Sequence, residues 1–244
     1  MKLFFRIIFK IFLILTILAG CATTEEIKET DSDKLLNQGT ALLEEGQSDE
    51  LLNQGTALLE EGQSEELLNQ GIALLEEGQY DRAIDDFDKA IKINPRYASA
   101  YYNRGIAYDT KGQYEKAISD YSKAIEINPG YAWVYNNRGI AYFGKSQYDK
   151  AISDYSKAIE INPRYARAYD NRGLAYYRKG DYDKAISDCS KAIEINPKLA
   201  NAYNNRGLAY YYKGLNYKAC SDFKWACEFG FCKGYEFAKR KGGC

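Results

Sequence analysis

The chain of 244 residues carries 33 lysines and arginines against 34 aspartates and glutamates, for a formal net charge of −1, and has 23 tyrosines but no histidine. The missing imidazole excludes Ser–His and Cys–His nucleophile activation and every metal site built on histidine. Acidic pairs such as Asp85-Asp86 occur, but adjacent residues on a helix point in different directions; no enzyme activity, cofactor or metal is expected.

Residues 1–20 read as an export signal. Lys2, Arg6 and Lys10 lie in or beside an apolar stretch that continues through Ile11 to Leu18 and ends in small residues. A spanning helix whose cations snorkel is the alternative, but spanning takes about 20 predominantly apolar residues and the run after Lys10 is roughly half that. Leu18-Ala19-Gly20-Cys21 resembles the lipobox of bacterial lipoproteins. The resemblance implies cleavage before Cys21, lipidation of its thiol (a palmitate-type modification) and usually of the new amino terminus. Two or more acyl chains give stable membrane anchoring, each buried methylene contributing about 0.8 kcal/mol. Ala22, rather than an aspartate, follows the cysteine; by the rule of that family this implies the outer membrane, facing the periplasm.

Residues 21–33 have one large aliphatic side chain, Ile27, among acids and threonines. They cannot bury a core and are expected to form an acidic flexible tether. From Cys21 to Glu66 there are 13 acids and two lysines, so the rest of the processed chain is net basic. Its cations alternate with acids and form no block, the pattern of a solvated face, so no nucleic acid partner is expected.

Residues 34–63 hold near-copies of a 16-residue unit. Leu35-Leu36-Asn37-Gln38-Gly39 recurs at Leu51 and again at Leu67, each copy continuing to Glu-Glu-Gly-Gln. The expectation is about two extra short helices stacked as an acidic extension; the alternative is fraying, since helices this short are marginal without packing.

A 34-residue period governs residues 64–233. Gly71, Gly105, Gly139, Gly173 and Gly207 keep that interval, as do Ala83, Ala117, Ala151, Ala185 and Ala219, and Pro95, Pro129, Pro163 and Pro197. Gly105 and Ala117 leave room for two helices to approach, with Tyr101, Tyr108, Tyr114 and Tyr121 filling the space around them. By this reading most tyrosines are core. Gly112 stops the first helix, and Asn128-Pro129 stops the second, because the residue before proline disfavours helix. A pair cannot bury its apolar face alone, so neighbouring pairs stack. Tyr101-x2-Arg104-Gly105-x2-Tyr108, followed by Ala117-x3-Tyr121, Ala124 and Pro129, resembles the tetratricopeptide repeat, with Tyr for its Trp and Arg for its Leu. The expected fold is all-α: an α-solenoid of five helix-turn-helix repeats closed by a C-terminal capping segment, residues 234–244.

One stripe of each first helix is left over after the pair is packed: Tyr102, Ile106 and Asp109; Asn136, Ile140 and Phe143; Asp170, Leu174 and Tyr177; Asn204, Leu208 and Tyr211. In the resembling family this stripe lines a concave groove that docks peptides, and aliphatic and aromatic residues rimmed by Asn and Asp suit a partly apolar peptide. The alternative is packing against the adjacent repeat. Asn103, Asn137, Asn171 and Asn205 match an asparagine used by some relatives to clamp a carboxylate, but the aliphatic residues at 106, 140, 174 and 208 argue against a clamp. Arg104, Arg138, Arg172 and Arg206 are expected to pair with Asp120, Asp154, Asp188 and Asp222.

Cys189 stands where other repeats place Phe87, Tyr121, Tyr155 and Phe223, and reads as a small buried apolar substitute. Cys220, Cys227, Cys232 and Cys244 cluster at the end. Outside the cytosol that points to disulfides. A hairpin turned at Gly230 into a capping helix predicts nested pairs, Cys227 with Cys232 and Cys220 with Cys244; a four-thiolate zinc site is the rival. The function implied is a lipid-anchored periplasmic scaffold or adaptor for peptide or protein partners in envelope, secretion or pilus assembly. Similar lipoproteins act as pilotins, assembly-machine components or hydrolase adaptors. The alternative is a structural spacer that self-associates without a dedicated peptide ligand.

Overall fold

The computed structural model describes residues 48–240 and Cys244. The export signal, Cys21, the tether and the first 16-residue unit lie outside the described residues. Among the described residues there are eleven helices and no strand. They are α1 (Ser48–Glu76), α2 (Tyr80–Ile93), α3 (Ala98–Thr110), α4 (Tyr114–Ile127), α5 (Ala132–Gly144), α6 (Tyr148–Ile161), α7 (Ala166–Lys179), α8 (Tyr182–Ile195), α9 (Ala200–Tyr212), α10 (Asn216–Glu228) and α11 (Lys233–Arg240).

Even-numbered helices α2 to α10 are the second helices of five pairs. Each buries alanine, a larger residue and alanine at i, i+4 and i+7, as in Ala117, Tyr121 and Ala124 or Ala151, Tyr155 and Ala158. That spacing makes one apolar stripe, which packs on the first helix of the same pair. The small residue opposite is obligatory. A Cβ at Gly105 or Gly139 would stand 2.7 or 2.6 Å from the ring of Tyr121 or Tyr155. At Gly173 it would stand 2.6 Å from the sulfur of Cys189, which is buried as the small substitute expected. Burial pushes that thiol's pKa well up, which keeps it unreactive.

The second helices α2, α4, α6 and α8 end at the Asn of each Asn-Pro step. The side-chain carbonyl of Asn94, Asn128, Asn162 and Asn196 accepts the amide N–H two residues on at 3.0–3.2 Å, an Asx turn that leads into the next pair. First helices end at a left-handed residue: Gly78, Gly112, Gly180 and Gly214, with φ from +70° to +83°. In the third pair this place is taken by Ser146, at φ +58°. The left-handed conformation costs a side-chain-bearing residue about 1–2 kcal/mol, partly offset by the extra backbone entropy glycine would lose. Ser146→Gly is therefore expected to stabilise the protein by about 1 kcal/mol, measurable as a raised thermal midpoint.

Two expectations are corrected. The second 16-residue unit is not a separate short stacked helix: it runs on with the third as one helix, α1. No proline separates them, and Gly62 meets nothing within 4 Å and stays helical. Among the described side chains of α1, Leu67, Leu68, Ile72, Leu74 and Leu75 pack on Ala83, Phe87 and Ala90. Nor are most tyrosines core. Tyr121, Tyr135 and Tyr155 are buried, Tyr212 and Tyr217 are exposed, and the others are half-buried. A stack two helices thick is filled by its alanines, so tyrosine rings span the boundary with water, several of them beneath a cation. The guanidinium carbons of Arg104, Arg138, Arg172 and Arg206 lie 5.5–5.7 Å from the ring centres of Tyr101, Tyr135, Tyr169 and Tyr203, within cation–π range.

Consecutive first helices touch one another (α1–α3, α3–α5, α5–α7, α7–α9), whereas consecutive second helices do not. The stack therefore curves with the first helices on its inner side. At the far end Gly230, at φ +94°, reverses the chain, and α11 lies against α10 and α9. Disulfides join Cys227 to Cys232 across this turn and Cys220 to Cys244, whose Cα atoms are 5.5 Å apart.

Candidate functional site: the inner face of the repeats

Two side-chain ladders hold the repeats in register and decide which inner-face residues stay free. In the first, each arginine grips the aspartate of its own second helix with two bonds of 2.7–2.8 Å: Arg104 on Asp120, Arg138 on Asp154, Arg172 on Asp188 and Arg206 on Asp222. These are the pairs expected from the sequence. The remaining arm reaches the previous repeat, where Ser122, Ser156 and Ser190 accept from Arg138, Arg172 and Arg206 at 2.9–3.0 Å. Arg104 instead meets Asp88.

The second ladder was not foreseen. Asn137 donates to the hydroxyl of Tyr102 (3.1 Å), Asn171 to Asn136 Oδ1 (2.9 Å), and Asn205 to Asp170 Oδ1 (2.8 Å). The sequence signal was present, since these bonds join positions 35 apart, one residue more than the repeat. The asparagines considered for a carboxylate clamp are thus largely consumed in joining repeats.

These contacts revise the stripe. Asn136, Asp170 and Asn204 are buried and do not rim an open groove. In the fifth repeat a Cβ on Gly234 of α11 would stand 2.4 Å from Asn204 Oδ1. Leu208 and Tyr211 pack with Tyr235 and Ala238, and the Tyr211 ring lies 5.4 Å from Phe237. The capping helix covers that end of the inner face. What remains accessible is Tyr102, Ile106, Asp109, Ile140, Phe143, Leu174 and Tyr177 in repeats two to four. Of these Ile140 is exposed, at 38%, and the others are half-buried. Phe143 leans on Tyr148 at 5.3 Å between ring centres, and Tyr177 on Tyr182 and Tyr212 at 6.0 and 5.6 Å. The two aromatic residues of the stripe are therefore held in place by neighbouring rings.

Two carboxylates of this face sit in poor solvent. Burial raises the pKa of Asp109 above the usual carboxylate range. It pushes Asp170 to about 6, partly countered by the bond from Asn205. The native state thus holds a proton on Asp170 up to about pH 6 that the unfolded chain releases near 3.8. Stability is lost as pH rises through that window. Asn136, one repeat earlier, makes the same bond without a charge. Asp170→Asn is accordingly expected to stabilise the fold by about 2 kcal/mol at pH 7. The gain should shrink to nothing near pH 4, which urea denaturation at both pH values would show.

Profiles of the tetratricopeptide repeat family match residues 98–131 and 121–153, and a further profile described as TPR repeat matches residues 71–112, 141–180 and 173–214. No curated protein sequence matches the chain. Among solved structures, MamA is 33% identical, with 70% of this chain and 96% of that one covered and a TM-score of 0.61. YrrB, described as a TPR protein with an unusual peptide-binding site, is 24% identical over 72% of this chain and 90% of its own, with a TM-score of 0.60. PilF of Pseudomonas aeruginosa shares the fold at 20% identity, covering 70% and 78%, with a TM-score of 0.64. The chain belongs to the tetratricopeptide repeat family, and its fold is that of a protein–protein interaction scaffold.

Proposed function

We propose that the protein is a lipid-anchored scaffold of the bacterial cell envelope, which holds a partly apolar peptide or protein segment against the inner face of repeats two to four. The observation that carries this reading is the stripe left open between the two ladders and the cap, with Ile140 exposed and Phe143 and Tyr177 braced by neighbouring rings. Apolar area left uncovered at a concave surface, with polar groups at its margin, is the usual form of a peptide site. That YrrB is described with a peptide-binding site on the same fold supports the reading. The anchor rests on Leu18-Ala19-Gly20-Cys21 and the basic, apolar segment before it. The acidic tether and the early turns of α1 would then set the repeats away from the membrane. No catalytic step is assigned.

Two measurements test this. Metabolic labelling with a palmitate analogue should mark the wild type and not Cys21→Ser; equal labelling would remove the anchor. A photo-crosslinker placed at Ile140 in membranes should give one dominant adduct, absent when Leu174→Glu is added at unchanged helicity. An adduct pattern indifferent to Leu174→Glu would move binding off this face. Adducts only to a second copy of the chain would favour a self-associating spacer.

A further inference from the structure

The repeats provide internal controls for one another, and the fifth departs from the others at one edge of the stack, the turn between its two helices. Where the second, third and fourth repeats have Thr110, Gly144 and Arg178, the fifth has Tyr212. Where they have Gln113, Gln147 and Asp181 it has Leu215, and where they have Glu115, Asp149 and Asp183 it has Tyr217. Several of the residues replaced hold structure together. Asp181 accepts from the amide of Lys184 and caps α8, whereas Leu215 gives α10 no side-chain cap. Glu115, Asp149 and Asp183 pair with the lysine of the following repeat, Lys145, Lys179 and Lys213. The replacements give this up without gaining cover. Tyr212, Leu215 and Tyr217 are 56%, 41% and 90% exposed, although Tyr212 stacks on Tyr182 at 5.8 Å between ring centres. Large apolar side chains left uncovered together mark a contact surface.

The same edge is basic. Lys218 lies in the first turn of α10, its ammonium 5.6 Å from the ring centre of Tyr210. From Gly230, α11 runs back along α10, with Phe237 against Tyr211 and Cys244 bonded to Cys220 near the start of α10. Its last turn, carrying Lys239 and Arg240, therefore arrives at this edge. Lys218, Lys239 and Arg240 are all exposed. Of the acids on α10 and α11, Asp222 is held by Arg206, Glu228 stands at the opposite end of α10, and Glu236 lies one turn back from Arg240. The place is a protruding turn, not the concave pocket that a small ligand needs. A flat anionic bilayer needs no pocket. Leucine and tyrosine rings enter the boundary of the acyl chains, with the hydroxyls at the headgroup level where tyrosine is favoured. Cations beside them meet the lipid phosphates. The edge belongs to the end of the stack opposite α1.

We infer that the α9–α10 turn is a peripheral contact site for a bilayer surface containing anionic phospholipid, with Tyr212, Leu215 and Tyr217 entering the interface and Lys218, Lys239 and Arg240 meeting the headgroups. The site is independent of the lipid anchor and of the inner face. The test replaces Tyr217 of the full chain, or Asp149 at the same place two repeats earlier, by photoreactive benzoylphenylalanine, after circular dichroism shows equal helicity. Each protein is irradiated with vesicles of mixed phosphatidylcholine and phosphatidylglycerol, or of phosphatidylcholine alone, and lipid adducts are read by mass spectrometry. On the mixed vesicles the yield is expected to be at least tenfold higher at position 217 than at 149. It should fall at least fivefold on phosphatidylcholine alone, and equally when Lys218→Glu and Arg240→Glu are added. Equal yields at the two positions, or a yield at 217 indifferent to lipid charge, overturn the inference. No lipid adduct at 217 also overturns it and leaves the turn to a protein partner. Palmitate labelling at Cys21 and the adduct at Ile140 are read separately, so failure here is distinct from failure of the anchor or the groove.

Discussion

Asp154→Ala is expected to destabilise the third repeat and its junction with the second by about 3 kcal/mol, towards the lower end of what breaking a buried ion pair costs. The Asp154 and Arg138 side chains are only 8% and 19% exposed, and two 2.8 Å bonds join them. Removing the carboxylate leaves a guanidinium that must stay near Ser122 and Tyr135 with two donors unsatisfied. Its partial exposure lets water recover some of the loss, which is why the figure is not larger. Replacing both partners, Arg138→Met with Asp154→Leu, should restore most of the stability, since an apolar pair of similar volume avoids both desolvation penalties. Urea denaturation of Arg138→Met, Asp154→Leu and the double variant reads the coupling. Additive losses would mean that the pair is not a unit.

Gly139→Ala is expected to cost about 3 kcal/mol, the upper end for overpacking, whereas Gly62→Ala should add about 1 kcal/mol, the usual helix-propensity gain. The same methyl group is added to a helix in both cases. At Gly139 it arrives 2.6 and 2.8 Å from ring atoms of Tyr155, a side chain only 1% exposed and walled in by its own core cluster, so the ring cannot swing away. At Gly62 nothing lies within 4 Å. Opposite signs of the shift in denaturation midpoint confirm the reading; two losses would show that α1 does not tolerate added helix propensity there.

Much of this architecture could be read from periodic residues. Gly105 predicted a close helix approach and Gly112 a stop, because a missing Cβ or a required left-handed residue is a local demand that few residue types meet. The arginine–aspartate ladder was legible for the same reason: each partner recurs at the repeat interval, 16 residues from the other. The groove was legible only as a stripe. Which of its residues are free depends on bonds to the next repeat and on the cap: Asn136 and Asp170 were consumed by Asn171 and Asn205, and Tyr211 by Phe237.

The clearest division lies in one repeated peptide. Ala-Leu-Leu-Glu-Glu-Gly-Gln occurs at residues 41–47, 57–63 and 73–79, the last two among the described residues. In the copy at 57–63 Gly62 continues a helix; in the copy at 73–79 Gly78, at φ +76°, ends it. By itself the sequence determined the repeat, the helical class and the places where glycine or proline can interrupt a helix. Tertiary structure alone decided which interruption is used. After Gly78 the chain can fold back and bury Ala83, Phe87 and Ala90 against Leu68, and that burial outweighs the helical hydrogen bonds given up at the turn. After Gly62 the next apolar residues, Leu67, Leu68, Ile72 and Leu75, are the ones that pack on Ala83, Phe87 and Ala90, so a turn there would add no burial and the helix runs on.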